Sequence, residues 1–188
     1  MPTPPRTSLD AIVAAGRAVL ARDGISGLTM QRVGEAVGVR APSLYKHVSS
    51  RSALIRLVAE DLVADVARQL DDAANAGDPR HDLRELAITL RTFALNDRHG
   101  FDLLFTPLPA VAAPDTSTFA AAAGPVLRVA AKLAGPDHAL DAARTVTAWA
   151  SGFLRMELSG DFQLGGDVSR AFEFGLQTLI AGLENRES

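Results

Sequence analysis

The sequence predicts an all-α protein, and two observations support that fold class. Apolar residues recur at steps of three and four along most of the chain, the spacing that places side chains on one helical face. No segment alternates apolar and polar residues with the period of two that a half-buried strand shows. Clusters of glycine and proline interrupt the helical pattern at intervals. We therefore expect a series of helices joined by short connections.

The first predicted helix covers residues 8–23 and has a signal at each end. Thr7 and Asp10 have the spacing of a capping box, which satisfies unpaired backbone N–H groups at a helix start. Gly24 is placed to end the helix. Residues 1–7 contain three prolines and no apolar stretch, and we expect them to form a disordered arm.

Two short helices are predicted next, joined by a tight glycine turn. The second helix follows Thr29, whose hydroxyl can cap it, and stops at Gly38. Pro42 is tolerated in the first turn of the third helix, where Leu44 and Val48 share one face. This stretch is therefore expected to form two helices in close succession.

A longer fourth helix, capped by Ser50, is predicted to connect this N-terminal part to the remainder of the chain. The asparagine, glycine and proline within residues 75–79 indicate a loop after it. Further helical patterns follow at residues 81–96, 100–105, 117–134, 137–159 and 168–184. We place the domain boundary at the start of the fourth helix, which gives an N-terminal domain of residues 1–50 and a C-terminal domain of residues 51–188.

The distribution of charge distinguishes the two parts. The whole chain of 188 residues has a net charge of −3. Residues 1–56 hold eight basic and three acidic residues, a net charge of +5, whereas the remainder holds eleven basic and nineteen acidic residues, a net charge of −8. A basic N-terminal part suits a polyanion such as DNA, although eight basic residues are also compatible with an ordinary solvated surface.

Composition excludes several functional classes. The chain has no cysteine, which excludes disulfides, thiolate metal sites and a cysteine nucleophile, and which is compatible with a reducing compartment. No apolar stretch reaches the roughly 20 residues needed to span a bilayer. The histidines lack paired metal-ligand spacing, and there is no nucleophile elbow or phosphate loop. We expect a cytoplasmic protein that is not an enzyme and has no membrane association, metal or cofactor.

The stretch from Thr29 to Val48 meets the physical demands of a helix-turn-helix. Two short helices that cross steeply need a small residue where they touch and a residue that tolerates positive φ at the turn, and Gly34 and Gly38 meet these needs. The shared core would be closed by Val33, Val37, Val39 and Leu44. The second helix of such a pair can lie in the major groove of DNA. On spacing alone, an ordinary helical hairpin with a glycine turn is an open alternative.

Several short motifs, taken in order, closely resemble the N-terminal DNA-binding region of TetR-family repressors. They are Leu28-Thr29, Val37-Gly-Val39, Ser43-Leu-Tyr-Lys-His47 and Ser50-Arg51. The likeness covers about residues 8–56 and implies a three-helix DNA-binding domain followed by a larger helical domain that binds a ligand and dimerises. The chain departs from the family pattern in having Gly34 in place of the usual alanine, and Val48 and Ser49 in place of a frequent aromatic residue and proline.

The resemblance also implies roles in DNA binding for individual residues. Those that match phosphate-contacting positions of the family, or lie beside them, are Thr29, Tyr45, Lys46, His47 and Arg51. Those that match positions reaching into the major groove are Gln31, Arg40, Ala41, Pro42 and Ser43. The first set would anchor the protein, and the second would set its sequence preference. Each polar residue among them could instead be a solvated surface side chain.

The resemblance is weaker in the C-terminal half, where residues 147–158 carry it. The last helix has two apolar faces, which is typical of a helix buried in one core or shared with a partner subunit. In this family the last two helices form a four-helix dimer interface, which here would include Phe174, Thr178 and Ala181.

An apolar ligand pocket on the middle helices is a further implication of the resemblance. Its candidate lining residues are Phe93, Phe101, Phe105, Phe119, Trp149, Phe153 and Met156. Aromatic residues at helical spacing are equally compatible with a simple packed core.

Taken together, these features predict a ligand-responsive transcriptional repressor. It would bind a palindromic operator in double-stranded DNA as a homodimer and would be released by a small, apolar effector. The alternative is a helical ligand-binding or adaptor protein that keeps the helix-turn-helix only as a scaffold.

Overall fold

The computed structural model describes residues 8–184, a range that leaves out the arm expected at residues 1–7. Within this range the chain forms nine α-helices and no strand, which confirms the all-α fold class. The helices are α1 (Leu9–Gly27), α2 (Met30–Val37), α3 (Ala41–Leu44), α4 (Arg51–Ala73), α5 (Pro79–Asn96), α6 (Arg98–Phe105), α7 (Thr116–Ala134), α8 (Ala139–Ser159) and α9 (Val168–Glu184), with a 3-10 turn at Pro136–His138. Of these helices, none is both long and apolar enough to cross a membrane.

The start of α1 differs from the sequence prediction. Ser8, the residue directly before the helix, is the N-cap, and its hydroxyl accepts a hydrogen bond from the backbone N–H of Ala11 at 3.2 Å. Thr7 lies outside the described residues, and Asp10 is in the first turn of the helix. The N-cap is therefore one residue later than predicted, and the predicted pairing of Thr7 with Asp10 stays a prediction.

The predicted caps of α2 and α4 are confirmed. The Thr29 hydroxyl accepts a hydrogen bond from the backbone N–H of Arg32 at 3.3 Å, and the Ser50 hydroxyl accepts one from Ala53 at 3.1 Å. Gly38 ends α2 in the left-handed conformation, with φ of 77° and ψ of 29°. Side-chain oxygens and a glycine therefore fix the limits of α2 and the start of α4, as the local sequence rules require.

Two details of the first helices are revealed only by the structure. The prediction that Gly24 ends α1 was wrong: Gly24 has φ of 68° and kinks the helix, which then resumes and continues to Gly27. The third helix is shorter than predicted, because regular α-helix ends at Leu44 and a turn follows. Leu44 and Val48 are nevertheless both buried, and the backbone N–H of Val48 still donates to the Leu44 carbonyl at 2.9 Å. The turn keeps them on the same side.

The described chain divides into two compact units. The first runs to Asp65 and includes Asp97–Phe119; the second consists of Val66–Asn96 and the chain from Ala120 onward. Helix α4 contributes residues to both. The sequence analysis places a boundary at the start of α4, between a DNA-binding domain and a ligand-binding domain, and that functional division stays a prediction.

The first unit contains α1, α2, α3, α6 and the beginning of α4. Its core includes fully buried Ile12, Leu20, Leu44, Leu54 and Phe101. Helices α1 and α4 approach closely at Gly16, where an added Cβ would lie 2.6 Å from a methyl group of Val58. Among the contacts between helices in this unit, those of α1 with α2 and with α6 are the most extensive.

The second unit is built around α5, α8 and α9. Phe172 and Leu176 of α9 are buried in it. Arg91 of α5 pairs with Glu157 of α8 through hydrogen bonds of 2.5 and 2.9 Å. The Arg91 guanidinium also lies 4.9 Å from the centre of the Phe172 ring. Helix α9 passes close to Trp149 of α8 at Gly175, where an added Cβ would lie 2.7 Å from the indole.

Candidate DNA-binding surface and effector cavity

Helices α2 and α3 cross where the sequence places a glycine. A Cβ added to Gly34 would lie 2.9 Å from the carbonyl oxygen of Val39 and 3.2 Å from the backbone nitrogen of Ala41. Both are backbone atoms, so they cannot give way without moving the turn between the helices. The backbone N–H of Val39 also donates to the Gly34 carbonyl at 2.8 Å. The prediction that a small residue is needed at this crossing is confirmed.

Arg51 braces the connection between α1 and α2. Its Nε donates to the carbonyl oxygen of Leu28 at 2.7 Å, and its Nη2 donates to that of Ile25 at 2.6 Å. A planar guanidinium is suited to bridging two acceptors in this way. Sequence reasoning missed this internal role, since it depends on a contact between residues 23 and 26 positions apart. A phosphate contact by Arg51 stays a prediction.

Asp23 forms a second tie between α1 and α2. Its carboxylate pairs with Arg22 at 2.7 Å and with Arg32, the third residue of α2, at 2.8 Å. The hydrogen bond from Arg22 lowers the pKa of the Asp23 carboxyl, and the positive charges of Arg22 and Arg32 lower it further. The carboxylate is therefore held in its charged form near the start of the helix-turn-helix.

The predicted anchoring residues that follow α3 are presented to solvent. Tyr45, whose surface is 54% exposed, and the exposed Lys46 and His47 stand between the buried Leu44 and Val48. Three consecutive residues of the chain therefore present an aromatic hydroxyl, an ammonium and an imidazole to solvent, while the apolar residues on either side are buried. Thr29, the remaining anchor candidate, is half-buried, and its hydroxyl accepts the cap bond of α2.

The predicted base-reading residues lie around the start of α3 and on α2. Arg40 is the N-cap residue of α3, with an exposed side chain. Pro42 is exposed, whereas Ala41 and Ser43 are half-buried. Gln31 is exposed on α2, where its amide donates to the Glu35 carboxylate at 3.0 Å. The structure thus brings four of the five onto one short segment and leaves Gln31 on the preceding helix.

A cavity of about 390 Å³ opens beside the C-terminal end of α6 in the first unit. Helix α4 contributes Ala59 to it, and the other lining residues belong to α6, to the α6–α7 connection and to the start of α7: Leu103, Leu104, Phe105, Thr106, Pro107, Leu108, Ala113, Pro114 and Phe119. Of the seven predicted pocket residues, Phe105 and Phe119 line this cavity. The other lining residues were missed because most of them lie in an irregular connection, whose three prolines and intervening apolar residues were the available signal.

The remaining predicted pocket residues have other surroundings. Phe101 is fully buried in the first unit, with its ring centre 4.7 Å from that of Phe105. In the second unit Trp149 and Phe153 pack against Phe172 at 5.1 and 5.3 Å, and Phe153 also packs against Phe162. Phe93 is buried and Met156 is exposed. The structure therefore does not gather the seven residues into one site, and a ligand contact by any of them stays a prediction.

The predicted dimer residues are exposed on α9. The surface of Phe174 is 72% exposed, and Thr178 and Ala181 are exposed beside it. On α8, Ala148 and Gly152 are also exposed. An exposed phenylalanine next to small residues on two neighbouring helices is typical of a surface that packs against another helix pair.

Two family models match the chain. Residues 12–58 match the bacterial regulatory proteins of the tetR family, and residues 83–179 match the tetracyclin repressor-like C-terminal domain. The first match contains the helix-turn-helix, and the second alone covers more than half of the chain.

Curated relatives carry regulator names. The chain is 30% identical over 57% of its length to the HTH-type transcriptional regulator Rv1816 of Mycobacterium tuberculosis, of which it spans 47%. It therefore spans about half the length of that relative. It is 26% identical to the class G tetracycline repressor protein of Vibrio anguillarum, with 95% of both chains covered.

A solved structure extends the likeness to nearly the whole chain. A TetR variant of Acinetobacter baumannii AYE in complex with minocycline has 28% sequence identity and a TM-score of 0.71, with 96% of this chain and 98% of that chain covered. The fold, the helix-turn-helix and both family models agree with one another. The chain belongs to the TetR family of transcriptional regulators.

Proposed function

We propose that this regulator is a repressor that binds a palindromic operator as a homodimer and leaves it when a small effector binds. One observation carries the DNA-binding part of the proposal. Tyr45, Lys46 and His47 are exposed in a row between two buried apolar residues, directly after the recognition helix α3. Such a row suits contacts with phosphates on either side of the major groove, which position a recognition helix without reading sequence.

The charge of the N-terminal part supports the same role. Residues 1–56 have a net charge of +5 in a chain whose total is −3. A locally basic surface attracts the DNA backbone, while the acidic remainder reduces binding elsewhere on the molecule. The protein would act in the cytoplasm by binding alone, without catalysis.

Dimerisation and effector release complete the proposal. Phe174, Thr178 and Ala181, exposed on α9, are proposed to meet the same helix of a second subunit. Two-fold symmetry would set two recognition helices about 34 Å apart, one in each of two successive major grooves. The relative from A. baumannii binds minocycline, and we propose that a different small molecule shifts this dimer to a spacing that does not fit DNA.

The test uses a DNA site selected by the wild-type protein from a randomised duplex pool. Lys46→Ala should weaken binding and reduce the slope of log affinity against log salt concentration by about one unit, because one phosphate contact is lost. Lys132→Ala removes the same charge from an exposed position of α7 and should leave both quantities unchanged.

Tyr45→Ala extends the test to the aromatic anchor and should also weaken binding. If no duplex is selected, or if both Tyr45→Ala and Lys46→Ala bind as the wild type does, the proposed surface is wrong. Failure of selection would favour the adaptor alternative, in which the helix-turn-helix is only a scaffold.

A further inference from the structure

We propose that Glu35 is a positioning residue for base recognition, which holds the amide of Gln31 in the orientation that matches adenine. The inference rests on the proposed function, because it concerns the base that the DNA-binding surface prefers. It adds to the base-reading set a residue that the sequence motifs do not mark. Every residue that carries the argument lies in the first unit.

Gln31 and Glu35 lie together on the outer face of α2. They are four residues apart, the spacing that places two side chains beside each other on a helix, and both are exposed. Met30, Val33 and Gly34 bury the opposite face of the same helix. The pair is therefore free to meet DNA and is not needed to close the core.

The hydrogen bond between the two side chains fixes which atom of the amide faces Glu35. The Gln31 Nε2 donates to the Glu35 Oε1 at 3.0 Å. An ionised carboxylate can only accept hydrogen bonds, so the amide atom that faces it must be the nitrogen. If the amide turned over, its oxygen would face a negatively charged oxygen, and a charge-assisted hydrogen bond would be lost. Glu35 thus selects one of two amide orientations that have nearly the same shape.

The amide in this orientation is complementary to one base. Its nitrogen carries two hydrogens, so donation of one to Glu35 leaves the other hydrogen and the amide oxygen for a second partner. In the major groove, adenine presents the acceptor N7 beside the N6 amino donor, and glutamine can pair with both. Guanine presents two acceptors, thymine one acceptor and cytosine one donor, so none of them pairs with both groups of the amide. Gln31 held by Glu35 should therefore prefer adenine.

The arginine of α2 is engaged elsewhere and does not compete for Glu35. Arg32 lies three residues before Glu35, a spacing at which an ion pair could form on a helix. Its Nη1 instead pairs with the Asp23 carboxylate at 2.8 Å. Gly27 leaves room for this pair, because an added Cβ would lie 3.0 Å from the Arg32 Nη1 and 2.3 Å from the Asp23 Cβ. Asp23 therefore leaves the Glu35 carboxylate to Gln31.

An acidic side chain is unfavourable at position 35 in two respects. It lies near the C-terminus of α2, where the helix dipole disfavours negative charge. It also reduces the positive charge of a surface that meets phosphates, which weakens binding to DNA of any sequence. Loss of the carboxylate should therefore favour both the helix and general DNA binding, whereas loss of its hold on Gln31 should weaken base discrimination. Because these effects have opposite signs, one substitution separates them.

The base preference is tested with the DNA site selected by the wild type and with an unrelated duplex of the same length. At the position whose preference is lost in Gln31→Ala, the wild type should prefer adenine over each other base by at least about five-fold. Glu35→Ala should reduce this preference to about two-fold or less, and should bind the unrelated duplex at least as tightly as the wild type. Glu35→Asp keeps a carboxylate that glutamine can reach and should retain most of the preference. Asp72→Ala removes one negative charge from an exposed position of α4 and should not alter it.

A double variant separates positioning from direct contact with a base. In the Gln31→Ala background, Glu35→Ala should cause no further change in base preference, because Glu35 acts through Gln31. A further change would mean that Glu35 contacts a base itself, and weaker binding of Glu35→Ala to the unrelated duplex would mean that its role is structural. Either result would overturn the proposal, as would an unchanged adenine preference in Glu35→Ala or a preference for another base in the wild type.

The orientation of the amide is measured without DNA by NMR of the full chain. The side-chain N–H signals of Gln31, assigned by their absence in Gln31→Ala, should shift in Glu35→Ala and stay in place in Asp72→Ala. Unshifted signals in Glu35→Ala would show that Glu35 does not hold the amide. If the signals shift as expected but the wild type selects no duplex, the proposed function is contradicted and the contact between the two side chains is not.

Discussion

At position 34 the lack of a single methyl group determines how closely α2 and α3 cross. We expect Gly34→Ala to lower the free energy of unfolding by about 1 kcal/mol, measured by urea denaturation. The added Cβ would lie 2.9 Å from the Val39 carbonyl oxygen, and overpacking of this kind costs about 1–3 kcal/mol. The better helix propensity of alanine offsets up to about 1 kcal/mol of that cost. Displacement of α3 should also weaken DNA binding.

A second glycine provides the matched control for this substitution. Gly124 lies within α7, and a Cβ there would meet its nearest atom, Arg128 Nη1, at an ordinary 3.6 Å. Gly124→Ala should therefore leave stability unchanged or raise it, and should not affect DNA binding. Equal stability effects in the two variants would mean that the crossing tolerates a side chain.

Arg51 should contribute to stability through its shape as well as its charge. Arg51→Lys keeps the charge but cannot bridge the Ile25 and Leu28 carbonyls with a fork of donors. We expect a loss of about 1.5–3 kcal/mol in the free energy of unfolding, since a hydrogen bond to a charged group is worth about that much and lysine can keep at most one of the two. Lys46→Arg, the reverse exchange at an exposed site, should not alter stability. If Arg51→Lys is as stable as the wild type, the main role of Arg51 would be its proposed phosphate contact.

At the scale of elements, the tie between α1 and α2 should depend on pH. The hydrogen bond from Arg22 and the charges of Arg22 and Arg32 lower the pKa of Asp23 below its unfolded value. A carboxyl with a lowered folded-state pKa stabilises the fold above its unfolded pKa of about 3.9, and this contribution is lost as the pH falls through the lowered value.

Asp23→Asn should therefore lower stability at neutral pH and flatten the dependence of stability on pH below about 4. Thermal unfolding at pH 7 and at a series of acidic values measures both effects. Because the pair is exposed to solvent, 1 M salt should reduce the difference at pH 7. A variant with the same acid dependence as the wild type would show that other carboxylates dominate.

Elements governed by local rules could be predicted from the sequence. The caps at Thr29, Gly38 and Ser50 depend on hydrogen bonds to backbone groups within four residues along the chain. Each of these residues lies at the predicted end of its helix. The N-cap of α1 was placed one residue too early because two hydroxyls are adjacent there, and Asp10, three residues after Thr7, favoured Thr7 over Ser8. Local rules locate an element but do not choose between neighbouring candidates.

The candidate site was less predictable, because its parts depend on contacts between distant residues. Exposure of Tyr45, Lys46 and His47 could be suggested from the sequence, because these polar residues stand between the apolar Leu44 and Val48. The bracing by Arg51 joins residues 23 and 26 positions apart. The cavity is built largely by an irregular, proline-containing connection to which no periodic pattern applies.

At the scale of the whole molecule, we propose that the exposed face of α8 and α9 is the surface through which the protein dimerises. Trp149 of α8 packs over Gly175 of α9, so these two residues lie on the helix faces that contact each other. Gly152 is three residues after Trp149 on α8, and Thr178 is three residues after Gly175 on α9. Both therefore lie beside the contact between the two helices, on a surface called here the flank. The flank is exposed and formed largely by small side chains. Two such flanks could pack as a four-helix bundle about a two-fold axis.

Gly152→Glu tests this face without disturbing the subunit. A Cβ at Gly152 would meet no atom within 4 Å, and glutamate is a better helix former than glycine, so the subunit should keep its helical content by circular dichroism. In a dimer, the carboxylate would be buried without a partner and should raise the dimer dissociation constant at least about 100-fold, measured by sedimentation. Ala64→Glu adds the same charge at an exposed position of α4 and should leave a dimer. If Gly152→Glu dimerises as the wild type does, another surface forms the interface; if it becomes monomeric, affinity for a two-half-site operator should fall far more than affinity for a single half-site.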